Sequence, residues 1–499
     1  MCGILLVKSS DSVPLEKHQA VFSLLKSRGP DFSRYRYANN IFIGQTVLHI
    51  TGTTDYYHHE HSNFLAYNGE IYNYRELGAY TNDIEFVHDC VETDPKRISA
   101  GWGTWAWAWT DNNKILYATD PQGERCLYQY QDEQILIVCS EVKPILEYIQ
   151  GRHQYQSYHT RHWAMLDQTP WTGIARIQAG VMYQDGLPVA ELDSVWSWIK
   201  PAQSINIEEA VEEFRSTWRS TCQSMTPDCP AALTYSGGLD SSIILSHIDG
   251  LELYTTNMIG KDPVADQIQQ FLTAQEQSRL HQLNCTPEQW AQAFCSVIDC
   301  TQMPVQSWSF PGQWLLSQAC EQRVLFTGVG ADELFGGYPV YQNLTFTSTN
   351  KSTSPYSLDS DGPLWHQCLS AYHNHAGSAT LLMDYFYQVA GCDVRGMDLI
   401  AGAHGIETRN PFLARPVMQF ALNLPFELRV GTVSKPTINR VFLDRWRPDQ
   451  VLPKKGFTGH CNDSLPWLGV DIASTGNRDL DWREIVVKSF YKDSNQSVD

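Results

Sequence analysis

The stretch Tyr235-Ser236-Gly237-Gly238-Leu239-Asp240-Ser241-Ser242 decides how this chain is read. The apolar run Ala231-Ala232-Leu233 before it has the character of a buried strand end, and Ile243-Ile244-Leu245 after it of a buried helix start. A strand, a tight loop with two glycines flanked by hydroxyls, and a helix start together make a phosphate cradle. Glycine lets the backbone approach the anion, and the first N–H groups of the helix point at it unpaired. No Gly-Lys-Ser/Thr follows at the required spacing, so the loop is not of the Walker type. The bland alternative is a glycine turn, and serines on both sides of the glycine pair, with Asp240 beside them, argue against it.

Outward from this loop the pattern alternates strand and helix. Residues 207–214 open a helix whose acidic first turn suits the helix dipole. Residues 251–256 and 324–327 read as further strands, with helices between. This predicts an α/β doubly wound parallel sheet over residues 207–499, with ligands at the carboxyl ends of its strands. Residues 345–360, rich in Ser, Thr and Asn, read as a loop. Pro188, Pro201 and the Trp196-Ser197-Trp198 cluster suggest a linker across 188–206, narrowed to 196–206, with its tryptophans anchored at an interface.

Residues 1–195 are rich in short apolar runs of strand length, at 4–7, 41–43, 64–67, 115–117 and 135–139. Gly103-Thr104-Trp105-Ala106-Trp107-Ala108-Trp109 alternates large with small. That period of two puts three tryptophans on one strand face and alanines on the other, where a second layer can approach. Residues 15–26 and 83–92 carry helical patterning. An α+β domain of layered antiparallel sheets with helices is expected.

Composition limits the function classes. A chain of 499 residues exceeds one core, so two or three domains are expected. The formal net charge of −19 argues against nucleic acid as a partner. An anionic substrate would need a local positive pocket. Thirteen cysteines without zinc-type pairing suggest a reduced, cytoplasmic protein. No segment reaches membrane length, so no membrane partner is expected.

Cys2 becomes the first residue if the initiator methionine is removed, and its α-amino group could then take the thiol proton. It keeps company with Arg28-Gly29-Pro30-Asp31 and with Asn68-Gly69-Glu70-Ile71-Tyr72-Asn73, read as following a strand. Together these resemble the N-terminal-nucleophile glutamine amidotransferases, and the last two resemble their asparagine synthetase branch. The second half continues the resemblance in order. The matching stretches are Thr327-Gly328-Val329-Gly330-Ala331-Asp332-Glu333-Leu334-Phe335-Gly336-Gly337-Tyr338, His404-Gly405-Ile406-Glu407-Thr408-Arg409-Asn410-Pro411-Phe412-Leu413, Ser434-Lys435-Pro436-Thr437 and Pro453-Lys454-Lys455-Gly456-Phe457.

The resemblance implies Cys2 as nucleophile and the Asn68 side chain with the Gly69 N–H as oxyanion donors. Glu70 and Asp83 would hold the α-ammonium of glutamine. In the second half, Ser236, Gly237, Gly238, Ser241 and Ser242 would bind the pyrophosphate of ATP, and Tyr235, Thr256 and Gly328 would flank its adenosine. Asp240 and Asp332 would hold Mg²⁺, and Lys435 and Lys454 would neutralise phosphate charge. Glutamine, ATP and a carboxylic acid, aspartate, are the implied small-molecule partners, and a homodimer is allowed. The expected reaction is aspartate, ATP and glutamine to asparagine, AMP, pyrophosphate and glutamate.

Two positions depart from the family pattern. Val47 stands where the family pairs an arginine with the glutamine α-carboxylate, so either His49, Arg34 or Arg36 replaces it, or glutamine binds poorly, or this half no longer hydrolyses it. Val329 stands between two glycines where asparagine synthetases carry a glutamate. Asp262 and Asp266 align with less certainty as substrate contacts. A related ligase acting on another carboxylate, in the manner of the β-lactam synthetases, and a catalytically silent binding homologue remain alternatives.

Overall fold

A computed structural model describes residues 1–51, 63–151, 154, 167–200, 204–259, 268–269, 271–305, 307–343 and 362–442. The polar stretch 345–360, Asp262, Asp266 and the Lys454 motif lie outside the described residues.

The N-terminal domain stacks two antiparallel sheets between helices. One sheet contains β1 (Gly3–Ser9), β2 (Phe32–Ala38), β3 (Ile41–Val47), β7 (Tyr128–Gln131), β8 (Ile135–Cys139) and β9 (Ile174–Arg176), in the order β2-β3-β1-β8-β7-β9. The other contains β4 (Phe64–Ile71), β5 (Gly103–Thr110), β6 (Ile115–Thr119), β10 (Val181–Gln184) and β11 (Leu187–Glu191), in the order β11-β10-β6-β5-β4.

Strand alternation explains the layering. Ile4 and Leu6 of β1 face the second sheet, where they meet Ala106 and Ala108 of β5. Leu5 and Val7 face the other way, onto Val21, Phe22 and Ile145 of the helices Leu15–Phe22 and Val142–Ile149. Trp105, Trp107 and Trp109 pack on the far side of β5 against Ile84, Phe86 and Val87 of the helix Asp83–Thr93. The small alanines thus let the sheets close, while the tryptophans fill the gap beneath a helix.

Two expectations are corrected here. Asn68-Gly69-Glu70 does not follow a strand but forms the second half of β4. The stretch 188–206 is not all linker, because Leu187–Glu191 is the edge strand β11, where Pro188 faces no further strand and costs no ladder bond.

The C-terminal domain has one five-stranded sheet of β12 (Ala231–Thr234), β13 (Glu252–Met258), β14 (Leu280–Cys285), β15 (Val324–Phe326) and β16 (Glu407–Arg409). The order is β14-β13-β12-β15-β16 and every neighbouring pair is parallel. From β12 the chain first winds outward through β13 and β14, then returns to the other side for β15 and β16. The switch point therefore falls between β12 and β15, where the strand ends leave a crevice. The helix Ile207–Met225, closed at its start by a reciprocal Asn206–Glu209 capping box, covers one face through Phe214 and Trp218.

The two domains meet across a seam of buried polar contacts. Arg28 donates to the Asp398 carboxylate at 2.9 Å, Arg125 to the Thr408 carbonyl at 3.0 Å and Arg176 to the Ala390 carbonyl at 2.9 Å. Trp196 stacks on Phe386 with ring centroids 4.6 Å apart. No helix among the described residues is long and apolar enough to cross a membrane.

Candidate active site

The glycine-serine loop leaves the end of β12. Gly237 takes a φ of +72°, which its lack of a Cβ permits, and Gly238 caps the helix Leu239–Leu245. Ser241 and Ser242 turn inward. The Ser241 hydroxyl accepts from the Ser236 N–H at 3.3 Å, and Ser242 lies 3.4 Å from the Tyr235 hydroxyl. They brace the loop, while Ser236 remains exposed. Tyr235 follows the end of β12 and Gly328 lies just beyond β15, while Thr256 lies inside β13, on the other side of β12.

Across the switch point, Gly328 lies so near the loop that a Cβ on it would sit 3.0 Å from that of Asp240. The short helix Ala331–Phe335 then presents Asp332. The Lys435 ammonium pairs with both acids, with Asp240 and, at 2.8 Å, with Asp332. Gly337 leaves room for this closeness: a Cβ there would fall 1.8 Å from an Asp332 oxygen, which would have to shift. Lys435 is 3% exposed, and burial pulls its pKa below the ordinary lysine value against the opposing pull of Asp240. Two carboxylates already converging on one cation fit Mg²⁺, which usually takes one or two protein carboxylates and completes its shell with substrate phosphates and water. No cluster of three or more metal-ligating side chains occurs among the described residues.

The second centre surrounds Cys2, at the start of β1. Its N–H donates to the Asn68 Oδ1 at 2.7 Å, which leaves the buried Asn68 Nδ2 without a partner among the described residues. An orphaned donor beside a thiol is the arrangement an oxyanion needs. Gly69 holds a φ of +152°, and a Cβ on it would strike the Thr104 carbonyl at 2.1 Å. Met1 is 1% exposed and packs on Ala232, Tyr254, Leu325 and Ile406 of the other domain. Burial lowers the chain amino group to about 6 and raises the Cys2 thiol.

Leu48, His49, Thr51, Glu70, Asp83 and Glu407 line the same cleft. The Asp83 carboxylate accepts from the Tyr67 hydroxyl at 2.7 Å and from the Ile71 N–H at 3.0 Å. Glu70 accepts from the Thr51 hydroxyl at 2.5 Å. Burial, then repulsion from Asp83, raises Glu70 to about 8, while burial raises Asp83 to about 6. Two crowded carboxylates of this kind favour a cation between them.

The position of Val47 is wholly buried, and the arginines offered as substitutes point elsewhere. Arg34 lies over the Phe64 ring and donates to the Leu65 carbonyl, and Arg36 lies over the same ring. His49 lines the cleft, and its buried Nε2 has no partner among the described residues.

Glu407 and Arg409 were not among the expected site residues, although their motif was. On β16 they are two residues apart and so share a face, which the fold turns toward the Cys2 cleft. Arg409 pairs with Glu407 at 2.9 Å and with Glu70 at 3.4 Å. The alternation in Glu407-Thr408-Arg409 was the available signal, but only domain docking gives it a destination.

The glutamine amidotransferase domain model matches residues 1–187, and the asparagine synthase model matches residues 217–466. Among curated proteins, the asparagine synthetase [glutamine-hydrolyzing] of Cricetulus griseus is 26% identical over 437 residues, covering 79% of this chain and 72% of that protein. The Gallus gallus protein of the same name is 24% identical over 451 residues, covering 82% and 74%. The Homo sapiens protein is 24% identical, covering 79% and 72%. With a thiol cleft in one domain, paired acids at the switch point of the other, and the asparagine synthase model spanning half its length, the chain belongs to the asparagine synthase family.

Proposed function

We propose that the chain is a glutamine-dependent asparagine synthetase that joins ammonia from glutamine to aspartate through an acyl-adenylate. The convergence of Asp240 and Asp332 on Lys435, beside a glycine-serine loop at the switch point, carries this reading. The Cys2 thiol attacks the glutamine amide carbon, the developing oxyanion is met by the Asn68 Nδ2 and the Gly69 N–H, and ammonia leaves before water frees glutamate. Glu70 and Asp83 hold the α-ammonium, and His49 is the cleft group facing the α-carboxylate.

In the second domain the aspartate carboxylate attacks the α-phosphorus of ATP, and pyrophosphate departs. The loop 236–242 and Lys435 hold the phosphates, and Tyr235, Thr256 and Gly328 flank the adenosine. Asp240 and Asp332 would hold Mg²⁺, which neutralises charge on the leaving pyrophosphate. Lys454 adds a further cation in this reading. Ammonia then displaces AMP. We place the protein in the cytoplasm, with a boundary between domains at 196–206 and a homodimer as its assembly.

Incubation with glutamine, ATP, Mg²⁺ and aspartate tests the proposal. Asparagine, AMP, pyrophosphate and glutamate are expected; ADP in place of AMP overturns adenylation. Val329 favours one second reading, a ligase of the same chemistry on another acid, because the signature loop lacks a carboxylate there. Pyrophosphate exchange with a panel of acids, failing with aspartate and succeeding with another, would select it.

A further inference from the structure

We infer that Glu124 is the carboxylate that deprotonates the nitrogen crossing from the Cys2 cleft to the adenylate. The inference rests on the amidotransferase reading above and adds a residue to it.

Glu124 lies in the segment between β6 and β7 of the N-terminal domain, yet it serves the loop of the other domain. Its carboxylate accepts from the Asn410 Nδ2 at 2.6 Å. The Asn410 Oδ1 accepts from the Thr327 hydroxyl at 2.5 Å, and the Thr327 Oγ1 accepts from the Val329 N–H at 3.3 Å. A second bond runs beside this chain, from the Gln122 Nε2 to the Leu413 carbonyl at 3.2 Å. Leu413 presses on the same loop, where a Cβ on Gly330 would meet it at 2.3 Å. Residues 122 and 124 therefore engage the loop 327–330 through two routes.

The seam around Glu124 is polar and incompletely paired. The Gln122 Oε1, Arg125 Nε and Tyr72 hydroxyl are buried with no partner among the described residues. Each orphaned group is costly to bury, and a small hydrogen-bonding molecule relieves that cost. Water or ammonia meets that description.

The other buried acids have partners, Glu333 among them, whose carboxylate accepts from the Tyr338 hydroxyl at 2.6 Å. Asp240 and Asp332 share Lys435, Glu407 is paired with Arg409, and Asp398 with Arg28. Asp120 accepts backbone N–H bonds from Trp105, Glu124 and Arg125. Position 329 is valine. Glu124 is 2% exposed, and its surroundings are Asn410, the acids Asp120 and Asp398, the cation Arg125 and the phenols Tyr72 and Tyr385. Burial first, then Asp120, raises it to about 8, against Arg125 and Asn410. A group poised near the working pH both takes and returns a proton.

Ammonia released at Cys2 that takes a proton from water in the polar seam becomes ammonium, and such a group reverses this. Ammonium has no lone pair and cannot attack the acyl carbon. Its proton passes to the Glu124 carboxylate, giving ammonia and a carboxylic acid, and the acid returns that proton to water before the next turnover. Ammonia then forms the C–N bond as the C–O bond to AMP breaks, and the excess proton on the new amide nitrogen passes to water.

The test compares full-length wild type, Glu124→Gln and Glu124→Asp with glutamine, ATP, Mg²⁺ and aspartate, measuring glutamate, pyrophosphate exchange and asparagine separately. Glu124→Gln is expected to hydrolyse glutamine and exchange pyrophosphate, with asparagine formed per glutamate falling about tenfold or more near neutral pH. Raising the pH by about two units should restore that ratio, because free ammonia then needs no base. Glu124→Asp, which keeps a carboxylate, should stay within about threefold of wild type. An unchanged ratio in Glu124→Gln, or a loss that pH does not relieve, overturns the role of Glu124 alone. Wild type that neither hydrolyses glutamine nor exchanges pyrophosphate overturns the amidotransferase reading, and this inference with it.

Discussion

Arg409, on the last strand of the C-terminal sheet, reaches across the domain seam to lie 3.4 Å from Glu70, a carboxylate lining the Cys2 cleft. Each domain thus holds half of one buried charge network. Both Arg409 and Glu70 are nearly inaccessible to solvent, so removing the cation leaves acids unpaired in a poorly solvated place. Arg409→Met is expected to cost about 3–5 kcal/mol, read as a lower midpoint in urea unfolding. A midpoint within error of wild type would show that the network carries little stability.

Glutamine affinity should depend on pH through the same acids. In the proposed function their ionised forms would receive the α-ammonium, and burial raises Glu70 to about 8 and Asp83 to about 6. Protonation therefore competes with glutamine as the pH falls. The apparent affinity should level off above about 8 and drop steadily from there toward 6, about tenfold per unit where one proton is taken up. Glu70→Gln should remove the upper part of this dependence and leave the part near 6. A KM for glutamine that is flat between these values would contradict the assignment.

Cys2→Ala should abolish asparagine formation from glutamine while sparing that from added ammonia, because the proposed adenylate site lies in the other domain. Assays of the two nitrogen sources side by side provide the check. Intact-mass analysis of the purified protein should also show loss of Met1, which frees the Cys2 amino group as base.

Lys435→Met should leave Asp240 and Asp332 facing one another without their shared cation. Pyrophosphate exchange is expected to fall by about a hundredfold or more, with glutamine hydrolysis preserved. Equal loss of both activities would mean that Lys435 holds the fold rather than phosphate.

Gly337→Ala makes a steric version of the same prediction. A methyl group would fall 1.8 Å from an Asp332 oxygen, so the acid must move. Exchange should weaken with little change in glutamine hydrolysis, and assaying both activities on one preparation distinguishes a local from a global effect.

Much of the fold was legible because local chemistry constrained it. The period of two in 103–109 assigned the tryptophans and alanines of β5 to opposite faces, and the reading of strand, glycine loop and helix across 231–245 matches β12 and the helix after it. Strands β2, β14 and β16 were harder. The first has a mixed polar face, β14 a mixed sequence, and β16 only three residues within a longer motif. Their identity as strands comes from neighbours that hydrogen-bond to them.

The sequence by itself singled out the candidate residues: the thiol at Cys2, Asn68-Gly69, the glycines and serines of 236–242, and the acids 240 and 332. Their spacing and type are local properties. Tertiary structure decided which of them meet. It joined Asp240, Asp332 and Lys435 across nearly 200 positions, turned Arg34 and Arg36 onto Phe64, and brought Arg409 and Glu124 across the seam. Such encounters depend on parallel strand order and domain docking, and burial then sets how strongly each charge is felt.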